Sequence, residues 1–300
     1  MTDAAPPRAS AVSERAPLLS VLMAALNEEK TIATIIPSIL GVPIDLELVM
    51  VDDGSDDRTW SLMQRHVDGH RVRAYRHEIS QGKGTAIRTA LKHARGAYVI
   101  IQDADTEYDP RDYTRLIEPM IAGRASVVYG TRLFASHTAF SYWYVVGNRR
   151  VTQIASMLYN VYLSDIQTAY KVFPRDAAMR MDLQARGFDI DPEITAKLLR
   201  LGYRIHEVPV SYIARTRDEG KKVTPIDGVK ALLTLARYRN WRPSVRVTES
   251  ELPGRIAAPV HRATTPPAKP STHHDGDGAG DGAAVGVNEA AMPPWYRDPG

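Results

Sequence analysis

Three acidic residues stand at alternate positions after a short apolar run. The run at residues 99–102 is rich in β-branched residues and predicts a buried strand. Residues two apart on an extended chain face the same side, so Asp103, Asp105 and Glu107 are expected to project together from the strand's carboxyl end. Neighbouring carboxylates repel unless a cation lies between them, and their oxygens suit Mg²⁺ or Mn²⁺. The alternative is a solvated acidic turn in which residues 109–110 begin the next helix.

Two other apolar runs end in polar residues of the same kind. Asn27-Glu28 follows the run at 18–26, and Asp52-Asp53 follows the run at 46–51. Ligands of open α/β sheets bind beyond the carboxyl ends of the strands, so these residues are candidates for one site. Gly82-Lys83-Gly84 stands before a helical pattern, where it could contact a phosphate or a nucleotide; a flexible turn is the alternative.

The elements that must position these residues alternate along the chain. Strands are predicted over residues 18–26, 46–51, 72–77, 98–103 and 126–129, and helices over 27–40, 56–67, 84–95 and 111–122. Pro37 predicts a kink or break in the first helix. Strand–helix alternation at this spacing predicts an α/β fold with right-handed crossovers. Neither a G-x-G-x-x-G nor a G-x-x-x-x-G-K-[ST] motif is present, which argues against a dinucleotide site and a P-loop.

Composition narrows the possible functions. The 300 residues contain no cysteine, which excludes disulfides, thiolate catalysis and cysteine-ligated zinc. A formal charge of +3 is too small to predict a nucleic-acid partner. No apolar stretch is long enough to span a bilayer and no signal-peptide pattern begins the chain, so we expect a cytoplasmic protein that is soluble or peripherally attached to a membrane.

Composition also predicts the domain organisation. Residues 1–16 are rich in Ala, Pro, Arg and Ser and are expected to be disordered. Residues 17–243 form the expected folded domain. The Pro-, Gly- and Ala-rich residues 244–300 cannot bury enough apolar surface to order themselves, so we expect a disordered tail.

The motifs, taken in order, resemble a known family. Asn27-Glu28, Asp52-Asp53-Gly54-Ser55, Gly82-Lys83-Gly84 and Asp103-Ala104-Asp105 are similar to motifs of family-2 glycosyltransferases of GT-A fold. Four downstream segments resemble the branch of dolichyl-phosphate mannose synthases and polyprenyl-phosphate sugar transferases: Gly130-Thr131-Arg132, Asn148-Arg149-Arg150, residues 165–173 and residues 207–212. The resemblance covers residues 18–240. It implies a mostly parallel central sheet flanked by helices.

The resemblance also implies a reaction and a donor site. A sugar would pass with inversion from a nucleotide-diphosphate donor to a polyprenyl (dolichyl-type) phosphate. The implied donor-binding residues are Asn27, Glu28, Asp53, Lys83 and Asp103. The implied ligands of Mg²⁺ or Mn²⁺ are Asp103, Asp105 and Glu107, although dolichyl-phosphate mannose synthases carry Gln at the position of Glu107.

The acceptor side is expected to be cationic. A phosphate monoester has a second pKa of about 6, so a polyprenyl phosphate is largely dianionic at neutral pH and needs cations to orient it more than a base. The resemblance implies that Arg132, Arg149 and Arg150 face the acceptor. It implies that Asp165 is catalytic or orienting, together with Arg132 and Arg149. It also implies that Lys221 and Lys222 belong to a loop that closes over phosphate. Solvated surface charge is the alternative for Arg149 and Arg150, and a helix cap for Asp165.

Several alternatives stay open from the sequence. Residues 138–163 and 229–241 mix aromatic, aliphatic and basic side chains, and such helices either contact the inner face of the membrane or pack on the sheet. The same fold could use a soluble or glycan hydroxyl acceptor in cell-envelope polysaccharide synthesis, with Asp165 as base. A nucleotidyltransferase, which would release pyrophosphate, and a non-catalytic adaptor are further alternatives.

Overall fold

The structure, a computed structural model, describes residues 16–133, 137–138, 142–215 and 224–244. Within these ranges the strands are β1 (Leu19–Ala25), β2 (Leu46–Asp52), β3 (Val72–Arg76), β4 (Tyr98–Asp103), β5 (Val127–Thr131), β6 (His137–Thr138), β7 (Lys171–Pro174), β8 (Ile205–Pro209) and β9 (Tyr212–Ile213). The helices are α1 (Ile32–Leu40), α2 (Thr59–Gln64), α3 (Lys83–Lys92), α4 (Tyr113–Ile121), α5 (Tyr142–Tyr159), α6 (Arg175–Met181), α7 (Ile190–Leu201) and α8 (Pro225–Tyr238). A 3₁₀ turn, Pro110–Asp112, leads into α4.

Seven strands form a mixed sheet in the order β3-β2-β1-β4-β7-β5-β8. The pairs β2–β3, β1–β2, β1–β4 and β5–β8 are parallel, whereas β7 runs antiparallel to both β4 and β5. In the register, Ala25 lies beside Asp52 and Ala24 beside Asp103. The carboxyl ends of β1, β2 and β4 therefore meet at one edge, and the predicted α/β fold with a mostly parallel sheet is confirmed.

Helices cover both faces of this sheet. On one face, Val21 and Met23 of β1 pack with Ile32 and Ile36 of α1. On the other face, Leu22 of β1 belongs to a second core with α3 and α7. Successive residues of a strand point to opposite faces, so a strand covered on both faces reads as one continuous apolar run.

The first helix begins later than the sequence predicts. Asn27 adopts a left-handed conformation with φ of 52°, and its backbone N–H donates to Ser55 Oγ. The backbone N–H of Glu28 donates to Thr59 Oγ1. These bonds tie the turn after β1 to the turn after β2, so α1 starts only at Ile32.

Pro37 lies inside α1, although the sequence predicts a kink or break there. Its side chain is on the exposed side of the helix, and so is Ala33. Proline has no backbone N–H, so the carbonyl of Ala33 does not receive its helical hydrogen bond. Water can bond that carbonyl, which explains why the helix continues.

The two predicted flanking segments lie almost entirely outside the described chain. Residues 1–15 and 245–300, predicted to be disordered with their neighbours 16 and 244, lie outside the described residues. The boundaries therefore stay a prediction. Among the described helices, none combines the length and apolar composition needed to cross a bilayer.

Candidate active site

A pocket of about 450 Å³ opens at the edge where β1, β2 and β4 end. Its wall continues through the start of α3, residues 187–192, and one side of α5 and α8. Its charged lining residues are Glu28, Asp53, Lys83, Asp103, Asp105, Glu107, Arg132, Asp191, Arg215 and Asp227. The topology thus gathers residues from separate stretches of the chain at the edge where α/β sheets bind ligands.

Asp103 and Asp105 form the acidic centre of this pocket. Asp103 ends β4, and its Oδ1 lies 2.7 Å from Lys83 Nζ. Asp105 Oδ2 lies 2.5 Å from Arg215 Nη2. Burial raises the pKa of Asp105 to about 7; repulsion from Asp103 adds to this effect, and Arg215 opposes it. The negative charge of Asp103 therefore lies close enough to disfavour the charged form of Asp105.

This acidic pair fits a divalent cation by its chemistry. Carboxylate oxygens are the ligands that Mg²⁺ takes, usually one or two from protein with the rest from water and substrate phosphate. Within the described chain no cluster of three or more acidic or histidine side chains has a metal-binding arrangement. The fit therefore rests on Asp103 and Asp105, whose negative charge Lys83 and Arg215 compensate in this structure.

Glu107 takes part in a different set of contacts. Its carboxylate accepts hydrogen bonds from the Tyr212 hydroxyl at 2.9 Å and from the Arg215 backbone N–H at 2.8 Å. These bonds hold the segment after β8 against the acidic loop. The role of Glu107 as a metal ligand stays a prediction.

Arg215 is a central residue that sequence reasoning did not include in the site. Its guanidinium lies 3.1 Å from Glu28 and 2.5 Å from Asp105. The sequence signal was a lone Arg close to two lysines of a predicted anion-binding loop. Those lysines, Lys221 and Lys222, lie outside the described residues.

Asp53 organises the loop that leads into α3. Its carboxylate accepts hydrogen bonds from His77 Nδ1 at 2.6 Å, from the Ser80 hydroxyl at 2.8 Å and from the Gly82 backbone N–H at 2.8 Å. Burial opposes ionisation, but these donors outweigh it and hold the pKa of Asp53 below its ordinary value. The loop in turn positions Lys83 at the first residue of α3.

Gly82 is required where this loop meets the segment before α7. Its φ is +95°, and a Cβ there would lie 2.3 Å from the carbonyl oxygen of Arg186. Only glycine adopts this conformation at so close an approach. Of the predicted donor-binding residues, all but Asn27 line the pocket, and Asn27 holds the adjoining turn instead.

Asp191 is a pocket residue whose role the sequence did not reveal. It lies in the first turn of α7, which explains why the pattern predicts only a helix start. Its carboxylate lies 2.7 Å from Lys171 Nζ and 3.6 Å from Lys83 Nζ. Lys171 is fully buried within an apolar strand, and a lysine in such a run is a signal for a buried carboxylate partner.

The predicted acceptor residues separate into two groups. Arg132 lines the pocket, and Asp165 binds its guanidinium through both oxygens, at 2.6 and 2.8 Å. Asp165 itself is buried and does not line the pocket. Arg149 and Arg150 are exposed on α5 and do not line the pocket.

The same helix presents other residues to the pocket. Tyr144 and Asn148 of α5 line it, one helical turn apart. Tyr212 also lines it, and its ring lies 5.0 Å from the Arg132 guanidinium carbon. No sequence signal pointed to Tyr144, since aromatic residues on helices more often belong to the core.

Comparisons with known sequences give one family and several curated relatives. Residues 20–181 match the profile of "Glycosyl transferase family 2". "Glycosyltransferase AglJ" of Haloferax volcanii is 28% identical over 73% of this chain and 70% of its own length. "Low-salt glycan biosynthesis hexosyltransferase Agl6" of the same organism is 30% identical over 72% of this chain, but the match spans only 52% of that protein.

Solved structures share the fold at lower identity. A crystal structure of glucosyl-3-phosphoglycerate synthase from Mycobacterium tuberculosis, with Mn²⁺, UDP and phosphoglyceric acid, is 21% identical with a TM-score of 0.53, over 76% of this chain and 80% of that one. TarS of S. aureus in complex with UDP-GlcNAc is 17% identical with a TM-score of 0.51, over 74% and 66%. The profile match covers more than half of the residues, and the chain belongs to glycosyl transferase family 2, a family of GT-A fold.

Proposed function

We propose that this glycosyltransferase moves a sugar, with inversion, from a nucleoside-diphosphate donor to a polyprenyl phosphate at the inner face of the cell membrane. The downstream motifs, which resemble dolichyl-phosphate mannose synthases, support this acceptor. The relative named as a glycan biosynthesis hexosyltransferase supports a hexose as the transferred unit. The domain at residues 17–243 would carry the reaction, with residues 1–16 and 244–300 as disordered flanks.

One observation carries the choice of acceptor: Asp165 binds Arg132 through both carboxylate oxygens. A sugar hydroxyl acceptor needs a base in contact with it. Asp165 is buried, does not line the pocket and has both oxygens bound to Arg132, so it is poorly placed for that role. Arg132 itself lines the pocket, and a phosphate dianion needs a cation of this kind to hold and orient it.

The other carboxylates of the pocket are also engaged. Asp191 is held between Lys83 and Lys171. Asp227 belongs to the capping box that begins α8. No carboxylate of the described pocket wall therefore stands without a partner as an evident base, which again favours an acceptor that is already an anion.

The donor side needs a group that stabilises the departing nucleoside diphosphate. Asp103 and Asp105 would hold Mg²⁺ or Mn²⁺, which when bound supplies Lewis-acid stabilisation of charge on the leaving diphosphate. Lys83, one residue past Gly82 at the start of α3, would contact the diphosphate, and Glu28 and Asp53 would face the nucleoside. Arg132 would orient the acceptor oxygen for in-line attack.

The test is an activity screen on the full chain. Nucleoside-diphosphate sugars with Mg²⁺ or Mn²⁺ are offered with detergent-dispersed polyprenyl phosphate, with phosphoglycerate, or with free sugars. We expect release of a nucleoside diphosphate only when polyprenyl phosphate is the acceptor offered. Turnover with free sugars or phosphoglycerate instead would overturn the acceptor, and pyrophosphate release from a nucleoside triphosphate would indicate a nucleotidyltransferase.

A thermal-shift screen separates donor binding from turnover. A bound donor raises the melting temperature by mass action. Asp105→Asn should remove the Mn²⁺-dependent part of this rise while the protein stays folded. Binding without turnover on any acceptor would indicate an adaptor, and a fully active Asp105→Asn variant would contradict the assigned metal site.

A further inference from the structure

The outer face of α5 carries aromatic, aliphatic and basic side chains in one stripe. Its exposed members include Tyr142, Trp143, Arg149, Arg150, Ile154 and Met157. Tyr142 and Arg149 are seven residues apart, as are Trp143 and Arg150, and Ile154 and Met157 follow Arg150 at spacings of four and three; these spacings bring all six to one side of the helix. Trp143 is 78% exposed and Met157 82% exposed, whereas Val151 and Ala155 on the other side are buried. Several large apolar side chains of this helix are therefore exposed to solvent.

The neighbouring helix α8 repeats the pattern. Ile226, Val229, Lys230, Leu233 and Arg237 are exposed on one side, at the same helical spacing. Ala231 and Leu235, on the inner side, are buried in a cluster shared with α5 and α7. The Tyr159 hydroxyl at the end of α5 donates to the Leu235 carbonyl at 2.8 Å, which fixes the two helices together.

The charges on these two faces have one sign. The only acidic residue in either helix is Asp227, which caps α8 and lines the pocket. A solvated helix face normally mixes both signs, and clustered exposed apolar residues mark an interaction site. Interleaved Trp, Tyr, aliphatic and basic residues are the composition of helices that lie in a membrane interface.

A second copy of the chain fits this surface less well. In a two-fold dimer the surface would meet itself, so its Arg and Lys side chains would face the same cations of the second copy. Anionic lipid headgroups provide the opposite charge, and acyl chains accept Trp143 and Met157.

We propose that the outer faces of α5 and α8 form a docking surface for an anionic lipid bilayer. Tyr144 and Asn148 of α5, and Asp227 and Ala231 of α8, line the pocket from the same two helices. Docking would thus leave only these two helices between this wall of the pocket and the membrane. A docked enzyme could then receive a lipid acceptor from the bilayer. This last step rests on the proposed function, whereas docking itself does not.

The test uses the full chain with phosphatidylcholine vesicles that contain or lack phosphatidylglycerol. We expect cosedimentation with the anionic vesicles only, weakened by added salt because the charges are exposed. Tryptophan emission should shift to the blue and be quenched by brominated lipid, and Trp143→Phe should lose most of both changes. Absence of vesicle binding, or a shift that persists in Trp143→Phe, would overturn the proposal.

Charge variants locate the surface. Lys230→Gln combined with Arg237→Gln should weaken binding about 30-fold, since each basic residue near an anionic surface contributes roughly a factor of five. The control combines Arg65→Gln with Lys92→Gln, two exposed residues outside these helices, and removes the same charge. Equal weakening by both pairs, or a dimer that buries Trp143, would refute the surface.

The outcome is independent of the acceptor assignment. Vesicles without polyprenyl phosphate test docking alone. If they fail to bind while detergent-dispersed polyprenyl phosphate is still glycosylated, the docking surface is wrong and the proposed function stands. If the vesicles bind the protein and no lipid acceptor is glycosylated, the docking surface stands and the proposed acceptor is wrong.

Discussion

Replacing Asp165 with Asn separates its two possible roles. Asp165→Asn keeps the size of the side chain but removes its charge and one of its two acceptors for Arg132. The side chains of Arg132 and Asp165 are only 16% and 6% exposed, so the pair is largely removed from water. The guanidinium would keep one bond, to the remaining carbonyl oxygen, and would face an amide N–H₂ in place of the other.

The magnitude follows from that burial. Removing one partner of a buried ion pair costs about 3–5 kcal/mol, and we expect roughly 3 kcal/mol because Arg132 borders the pocket and can recover some hydration. For a domain of this size that corresponds to a fall in melting temperature of roughly 6–12 °C. Calorimetry or thermal-shift measurement gives the value directly.

Kinetics then identify the role. If Asp165 positions Arg132, Asp165→Asn should raise the KM for polyprenyl phosphate and leave the shape of the pH–rate profile unchanged. Glu118→Gln is a matched control, because it breaks a carboxylate–Arg124 pair that is about half exposed and should cost less than about 1 kcal/mol. The opposite result would be a variant with normal stability and a normal KM, in which the pH profile of kcat no longer shows the ionisation of a basic group. That result would make Asp165 the base.

Two further predictions concern stability. Gly84→Ala should lower the free energy of unfolding by about 1–3 kcal/mol, because the new Cβ would lie 2.4 Å from the Ala185 carbonyl oxygen. Gly147 of α5 has open space around it, so Gly147→Ala should raise the free energy of unfolding by about 0.5–1 kcal/mol. Denaturant titration of both variants compares the two values. Burial opposes the ionisation of Glu47, but hydrogen bonds from Ser20 and Arg95 outweigh burial and lower the pKa of Glu47 from its ordinary value of 4.5. The free energy of unfolding should therefore fall as the pH drops below about 4.5. Glu47→Gln should make that fall less steep.

The sequence predicted the sheet because its signals are local. The runs before Asp52 and Asp103 are continuous and apolar, and their carboxyl ends must meet at one edge once the strands are parallel. The positions of Asp53, Asp103 and Asp105 in the pocket follow from that argument alone. Helix limits were predicted less well, because Asn27 and its neighbours bond to a turn 28 residues away.

Partner choice is what the sequence could not supply. Asp165 lies 33 residues from Arg132, and Arg215 lies 187 residues from Glu28, so no spacing rule connects them. Each of these residues alone reads as an ordinary surface charge or a helix cap. Folding decides which of them become buried pairs, and burial in turn decides whether a carboxylate is available as a base or is committed to a cation.

Charge compensation links these pairs to the order of events in the pocket. Lys83 pairs with Asp103 and Arg215 pairs with Asp105, so each carboxylate of the acidic centre has one cationic partner. Asp103 and Asp105 would hold a divalent ion, and Arg215 would then give up its contact with Asp105, which would also weaken its contact with Glu28. Because Glu107 holds the backbone N–H of Arg215 through a separate bond, the side chain can leave while the segment after β9 stays attached to the acidic loop. Arg215, once released from Asp105, would thus offer its positive charge to the nucleoside diphosphate of the proposed donor.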